Sequence, residues 1–190
     1  MDTTIDAGDA VALRGLLGRF CTGVTVVATE NTAGDVVGFA CQSFSALSLD
    51  PPMILISVMR TSNTLPVLLE REEFTVSVLG EDAHEISATV GSRAADKFAR
   101  VPLTRTGSGL PALRDPLAWF DCSVARVVEG GDHIVVLADV REAGPTECDA
   151  RPLLYYNGGY GGLARTEPAT VTPERELLTA MSAYTTDDWF

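Results

Sequence analysis

The stretch GFACQSFSALSLDPP, residues 38–52, decides how the rest of this sequence is interpreted. It continues a segment over residues 36–41 that is typical of a β-strand. The pair Pro51–Pro52 is expected to stop regular pairing and to fix the chain direction, because proline has no amide hydrogen and restricts the residue before it. The apolar run Met53–Val58 follows at once and is typical of a buried strand. We therefore expect two strands joined through residues 43–52 without regular pairing between them.

Further strands are predicted on both sides of this stretch by β-branched segments and turn residues. They cover residues 24–29, 36–41, 53–58, 74–79, 119–128, 133–140 and 153–156, with tight turns at 33–35 and 130–131. Helices are predicted over residues 9–20, 65–71 and 81–90, the first of them amphipathic. Residues 100–118 are predicted as a loop, and residues 158–162 as a glycine-rich turn. Six or seven short strands with few helices indicate a mainly β fold, a closed or nearly closed barrel.

The chain length of 190 residues suits one domain with a core and a modest tail. We expect that domain over residues 9–163. Residues 164–190 are expected to form a C-terminal extension, in which Thr172–Pro173 begins a short helix that runs to about Tyr184. This extension is interpreted as an appended arm and not as a second domain.

Composition and charge exclude several classes of protein. No apolar run approaches the ~20 residues that cross a membrane, and the acidic N-terminus lacks the layout of a signal peptide. A cytoplasmic location is therefore expected. The formal net charge of −12 would repel a phosphate backbone, so nucleic-acid binding is not expected. The four cysteines contain no CxxC pair and only two histidines accompany them, which argues against a zinc site.

The sequence also lacks the GxSxG, P-loop and HExxH patterns, and its Gly15–Gly18 segment lies in a predicted helix without the context of a dinucleotide fingerprint. If the protein performs redox chemistry, a bound cofactor must therefore supply the reactive atoms.

Several ordered motifs together resemble the short-chain flavin reductase family. Besides residues 38–52, the matching segments are FCTGVTVV at 20–27, SNT at 62–64, DKF at 96–98, GGDH at 130–133 and PLLY at 152–155. The resemblance covers residues 13–163. The variant Ala40–Cys41–Gln42 and the ending TTDDWF at 185–190 look like reductase partners of two-component aromatic hydroxylases. The resemblance implies a split β-barrel flavin-binding fold that forms a homodimer with flavin at the subunit interface.

The resemblance also implies which residues hold flavin. The flavin ring would lie against Gly38, Phe39, Ala40, Cys41, Gln42 and Ser43, and the next strand would line the same slot with Ser57, Val58 and Met59. The phosphate would bind at a helix N-terminus formed by Ser62, Asn63 and Thr64, beside Lys97. Other interpretations stay open. Gly38 would serve strand geometry alone, Ser62–Thr64 would simply cap the helix, Lys97 would pair with Asp96, and Met59 would fill the core.

His133 is the predicted catalytic residue, because the resemblance places the imidazole of the Gly–Asp–His tip beside the nicotinamide. It would orient the nicotinamide amide or buffer charge as hydride arrives at the flavin. The alternative is a hairpin histidine that satisfies only local hydrogen bonds. Arg151 and Tyr156 are further candidates for the donor pocket, against the alternatives of an exposed, unpaired arginine and a packing tyrosine.

The expected function is that of an NAD(P)H:flavin oxidoreductase that supplies reduced flavin to a separate monooxygenase. FAD and FMN both remain candidates, with FAD favoured, and NADH is favoured over NADPH because no basic cluster suits a 2′-phosphate. No metal is expected. The alternative from another class is a non-catalytic flavin-binding or docking module of the same barrel.

Overall fold

The computed structural model describes residues 4–146 and 150–164 of the chain. These residues contain three short α-helices: α1 Ala10–Leu17, α2 Thr64–Arg71 and α3 His84–Val90. The strands in chain order are β1 Thr22–Gly23, β2 Thr25–Glu30, β3 Val36–Cys41, β4 Ser45–Leu49, β5 Pro52–Met59, β6 Glu73–Val78, β7 Leu103–Arg105, β8 Pro111–Leu113, β9 Ala118–Gly130, β10 His133–Pro145, β11 Leu154–Tyr156 and β12 Gly159–Gly161. The predicted mainly β fold with few short helices is confirmed. The predicted arm after Ala164 lies outside the described residues.

Seven strands form one antiparallel sheet in the order β3-β2-β6-β9-β10-β5-β4. The sheet wraps around a single core, because buried residues from edge strand β3 and from β5 near the other edge belong to one apolar cluster. The edge strands β3 and β4 are joined by residues 42–44, and the sheet order has no ladder between them. This is the split in the barrel.

Alternation of side chains fixes which face of the sheet meets the core. On β5, Ile54, Ile56 and Val58 are buried while their neighbours are partly exposed, which is the period-2 pattern of a strand. Leu65 and Leu68 of α2 belong to the same buried cluster. The helix therefore packs on the barrel core, and its N-terminus is fixed beside β3 and β5.

A second apolar layer covers the outside of β2 and β6. It contains Val26 of β2, Val90 of α3, and Phe98 and Val101 of the segment after α3. Helix α1 contributes nothing to either apolar cluster, since none of its residues is buried. Its apolar residues Val11, Leu16 and Leu17 are exposed in the single chain. No helix of the described ranges is long and apolar enough to span a membrane.

The structure corrects the sequence prediction in three places. The Pro51–Pro52 pair does not end pairing: Asp50 and Pro51, joined by a cis bond, form the turn of a hairpin in which Leu49 of β4 lies opposite Pro52 of β5. Residues 100–118 hold the small β7–β8 hairpin, and the glycine-rich turn continues into β12. Each missed strand is an edge or very short strand, where few contacts impose a periodic pattern.

Candidate functional site

A cleft of about 830 Å³ opens between the C-terminal halves of β3 and β5, the N-terminus of α2 and the segment after α3. Its volume is in the range of ligand sites. Most of the predicted site residues lie on its walls, namely the predicted flavin residues Phe39, Ala40, Cys41, Gln42, Ser43, Ser57, Val58, Met59, Ser62, Asn63, Thr64 and Lys97, and the predicted catalytic residue His133. The fold thus brings together positions that are up to 94 residues apart, from Phe39 to His133.

Ser43 fastens the two strand walls of the cleft to each other. Its Oγ accepts a hydrogen bond from the Ser57 amide at 2.8 Å and donates to the Ser57 carbonyl at 3.1 Å. The Cys41 Sγ lies 3.1 Å from the same Oγ. The single hydroxyl proton of Ser43 is already used in its bond to Ser57, so it cannot also donate to a ligand. The role of Ser43 is therefore to hold the two strands together. Gln42 is more open: its Oε1 accepts from Thr22 Oγ1 at 3.4 Å, which leaves its amide NH₂ available to a ligand.

Gly38 does not lie on the cleft, in contrast to its predicted contact with the ring. A Cβ at this position would meet the Val27 carbonyl oxygen at 2.1 Å and Phe98 Cζ at 2.9 Å. The glycine is therefore required by packing between β2, β3 and the segment after α3, which is the strand-geometry alternative. Its carbonyl oxygen also accepts a hydrogen bond from Thr64 Oγ1 at 3.2 Å, which fixes the start of α2.

The start of α2 combines capped and open groups. Asn63 is the N-cap residue, but its side chain makes no capping hydrogen bond. Ser62 Oγ accepts from the Thr64 amide at 3.3 Å, so capping by Ser62 is present. The Thr64 hydroxyl is committed to Gly38 and does not face a ligand as a free donor. The groups available to an anion here are the Asn63 side-chain amide and the Ser62 hydroxyl proton, together with the positive end of the helix dipole.

Two cations on the segment after α3 line the same cleft as the start of α2. Lys97 lines the cleft and makes no ion pair with Asp96 among the described residues. Burial lowers the pKa of the Lys97 ammonium, because desolvation disfavours its charged form. Arg93 lines the same cleft and was not predicted. In the sequence, the only sign that Arg93 belongs to the site was its position four residues before Lys97. The two cations and the α2 N-terminus make this end suitable for phosphate.

His133 stands at the rim of the cleft, at the start of β10 and directly opposite Met59 of β5. Its Nδ1 lies 2.7 Å from the Asp132 Oδ1. This hydrogen bond lowers the pKa of the Asp132 carboxyl, with a further contribution from the charge of His133 and a smaller one from Arg14. An ionised Asp132 accepts the proton on Nδ1, so the imidazole offers Nε2 to a ligand. The side chain is 38% exposed, which leaves it accessible.

Arg151 and Tyr156 do not lie on the cleft wall. Arg151 is neither free nor unpaired: its Nε and Nη2 donate to Glu81 at 3.2 and 3.0 Å, and its Nη1 donates to the Leu163 carbonyl. Tyr156 is exposed outside both cavities. The neighbouring tyrosines Tyr155 and Tyr160 instead line a side pocket of about 300 Å³. The predicted donor contacts of Arg151 and Tyr156 are therefore not supported in the single chain.

The split barrel and its cleft are those of the class that the sequence resembled, and comparison with known proteins gives the same class. The family model named flavin reductase like domain matches residues 17–164, and the chain belongs to this family. A similar relative is the reductase subunit HsaB of a flavin-dependent monooxygenase from Mycobacterium tuberculosis, 41% identical over 95% of this chain and 96% of that protein.

Two solved structures extend the comparison. Nitrilotriacetate monooxygenase component B from Mycobacterium thermoresistibile is 41% identical, with a TM-score of 0.80 over 90% of this chain and 94% of that chain. The NADH:FAD oxidoreductase SgcE6 from Streptomyces globisporus C-1027, solved with NAD and FAD fragments, is 29% identical. Its TM-score is 0.79, over 88% of this chain and 99% of that chain.

Proposed function

We infer that this protein is the NADH-dependent reductase component of a two-component system, which supplies reduced flavin to a partner monooxygenase. The observation that carries this function is the single cleft that combines a strand wall, a phosphate end and the His133 rim. The family membership and the reductase subunits among its relatives support the same activity. Bound flavin supplies the chemistry, since it accepts hydride from a nicotinamide and no protein side chain can do so.

The residues present fit a flavin. The wall formed by Phe39–Cys41 and Val58 offers apolar surface to a planar ring, and the Gln42 amide can donate to the polar edge of that ring. Asn63, Lys97 and Arg93 surround the end where a phosphate would bind. The protein's work is to hold the two reactants in register and to exclude water from between them.

His133 is proposed to orient the nicotinamide. Because Asp132 holds Nδ1, the Nε2 atom is free to hydrogen-bond the carboxamide of the donor at the rim of the cleft. This contact fixes which face of the donor ring meets the flavin. The function proposed for His133 is therefore positioning of the donor through direct contact, with charge buffering as a secondary contribution.

We further propose FAD as the preferred flavin and NADH as the donor. Two cations at the phosphate end suit a diphosphate better than a single phosphate, and the cleft volume of about 830 Å³ accepts a dinucleotide. NADPH and FMN are the alternatives that a binding titration would separate. The cytoplasm is the proposed location.

A homodimer is proposed from the outer face of the sheet. Leu55, Val135 and Leu137 alternate with the core residues of β5 and β10, yet they point away from the core and are only partly covered. Strands with one solvated face normally carry polar residues there. Ser57 lies on the same face and also lines the cleft. A second copy covering this face would complete the flavin site.

The activity is tested by mixing the purified protein with NADH and either FAD or FMN and following the loss of oxidised-flavin absorbance. Turnover is expected with NADH. Absence of turnover with every combination of flavin and of NADH or NADPH would exclude the reductase function and favour a non-catalytic flavin-binding module. His133→Ala is expected to raise KM for NADH about tenfold, equivalent to ~1.4 kcal/mol, with flavin affinity nearly unchanged. Equal losses of both would contradict the donor role.

A further inference from the structure

The hairpin turn that carries His133, residues Gly130–His133 and hereafter the donor tip, is held by one side chain from another strand. Arg60 directly follows β5, and its Nε donates to the Gly131 carbonyl at 2.7 Å. Its Nη2 forms an ion pair with Glu129, which precedes the tip. Its backbone amide donates to the Asp132 carbonyl at 3.0 Å. Three contacts from one residue therefore surround the turn on which His133 depends.

The donor tip needs such a support, because its own sequence is permissive. Gly131 has a φ of +75°, and no atom would meet a Cβ at this position. A turn containing two adjacent glycines has many accessible backbone conformations. The ladder to β5 ends at the His133–Met59 pair, so beyond it the Arg60 contacts hold the tip against β5.

Arg60 also connects the two ends of the site. The residues that follow it, Thr61–Thr64, line the cleft up to the phosphate end. The residue before it, Met59, lies opposite His133 and lines the same cleft. A guanidinium is well suited to this place, because its rigid fork can bond a carbonyl and a carboxylate at once.

We propose that Arg60 is a positioning residue that holds the donor tip, and with it the Asp132–His133 pair, at the nicotinamide side of the cleft. This role rests on the proposed function, since it assumes that His133 meets the donor. Arg60 itself does not line the cleft and is not proposed to touch flavin or nicotinamide. Its side chain is 40% exposed and that of Glu129 is 79% exposed, so the ion pair contributes little to global stability. Variants of Arg60 should therefore fold.

The test compares Arg60→Ala, Arg60→Lys and Glu129→Gln, with Arg141→Ala as the control. Arg141 is an exposed arginine of the same hairpin near the opposite end of β10. Arg60→Ala is expected to raise KM for NADH about tenfold, because it removes a charge-assisted hydrogen bond and an ion pair. Flavin Kd should change less than about twofold, since a change on the order of 0.4 kcal/mol lies within ordinary surface effects. Arg60→Lys should recover part of the KM, whereas Arg141→Ala should match the wild type.

A second measurement does not depend on turnover. Amide hydrogen exchange of the peptide that contains the donor tip should speed up in Arg60→Ala and less so in Glu129→Gln, which keeps the bond to Gly131. Unchanged exchange in Arg60→Ala would overturn the support of the tip. Faster exchange with unchanged KM for NADH would overturn its role in donor binding. A wild-type protein without nicotinamide turnover would instead reject the proposed function, while the exchange data would still decide whether Arg60 holds the tip.

Discussion

Replacing Gly38 by alanine is expected to destabilise the barrel much more than it weakens flavin binding. The added Cβ would lie 2.1 Å from the Val27 carbonyl oxygen, whereas real Cβ atoms essentially never come within 3.0 Å of another heavy atom. It would also lie 2.9 Å from Phe98 Cζ and 3.1 Å from the Ala28 Cα. The Phe98 ring is able to rotate, but the two backbone atoms belong to the β2–β3 ladder, where Gly38 pairs with Ala28. The strands must therefore separate locally.

The magnitude follows from the rigidity of the obstacle. Overpacking a core costs about 1–3 kcal/mol, and a clash with paired backbone belongs at the upper end, about 3 kcal/mol. For a chain of this size, 1 kcal/mol shifts the Tm by roughly 2–4 °C. We therefore expect the Tm of Gly38→Ala to fall by about 6–12 °C. The substitution should also disturb the start of α2, since the hydroxyl of Thr64 donates to the Gly38 carbonyl.

The assay is thermal unfolding followed by circular dichroism, with a flavin titration at a temperature where all variants are folded. The matched control is Gly23→Ala, because a Cβ at Gly23 would meet no atom within 4 Å. The control should stay within about 0.5 kcal/mol of the wild type. An unchanged Tm for Gly38→Ala, together with a large loss of flavin affinity, would refute the packing argument and restore a direct contact between Gly38 and the ring.

Three other predictions concern titratable groups. FMN affinity should fall as pH rises toward 10.5, because the pKa of Lys97 is lowered below that value in the free protein and only the charged ammonium attracts phosphate; Lys97→Gln should remove this pH dependence in fluorescence titrations, and an unchanged profile would contradict it. Cys122 should resist alkylation at pH 8 in the native state, because burial and Asp121 raise the pKa of its thiol to about 12, whereas exposed Cys21 should react; mass spectrometry of peptides distinguishes the two sites. Asp132→Asn should raise KM for NADH at neutral pH without changing the Tm, and in the wild type the Asp132–His133 contact should be lost only as pH falls through the lowered pKa of Asp132, below 3.8.

The sequence predicted most of the sheet from local patterns, and it predicted the location of the site from the resemblance to the flavin reductase family. The apolar run over residues 53–58 identified β5, and the two glycines at 130–131 identified the turn between β9 and β10. The ordered motifs predicted a cleft that includes Gln42, Asn63 and His133, and the structure places all three on it.

The local sequence pattern could not predict the outcome where a residue had two possible surroundings. A glycine in a strand can face a ligand or another strand, and only the position of Val27 shows that Gly38 faces the latter. Arg151 was a candidate for the donor pocket, but Glu81, 70 residues earlier, holds its guanidinium. The Pro51–Pro52 pair was compatible with either a break or a turn, and the pairing of β4 with β5 made it a turn.

The sequence by itself therefore determined the strand segments, the mainly β class and the motifs that surround the cleft, since period-2 alternation and turn residues act within a few neighbours. Tertiary structure alone decided which groups remain available to a ligand. It committed the hydroxyls of Ser43 and Thr64 to backbone partners, brought Arg93 to the phosphate end and placed Arg60 against the donor tip. The physical reason is that each such choice depends on a hydrogen-bond partner or obstacle that only long-range strand pairing brings into contact.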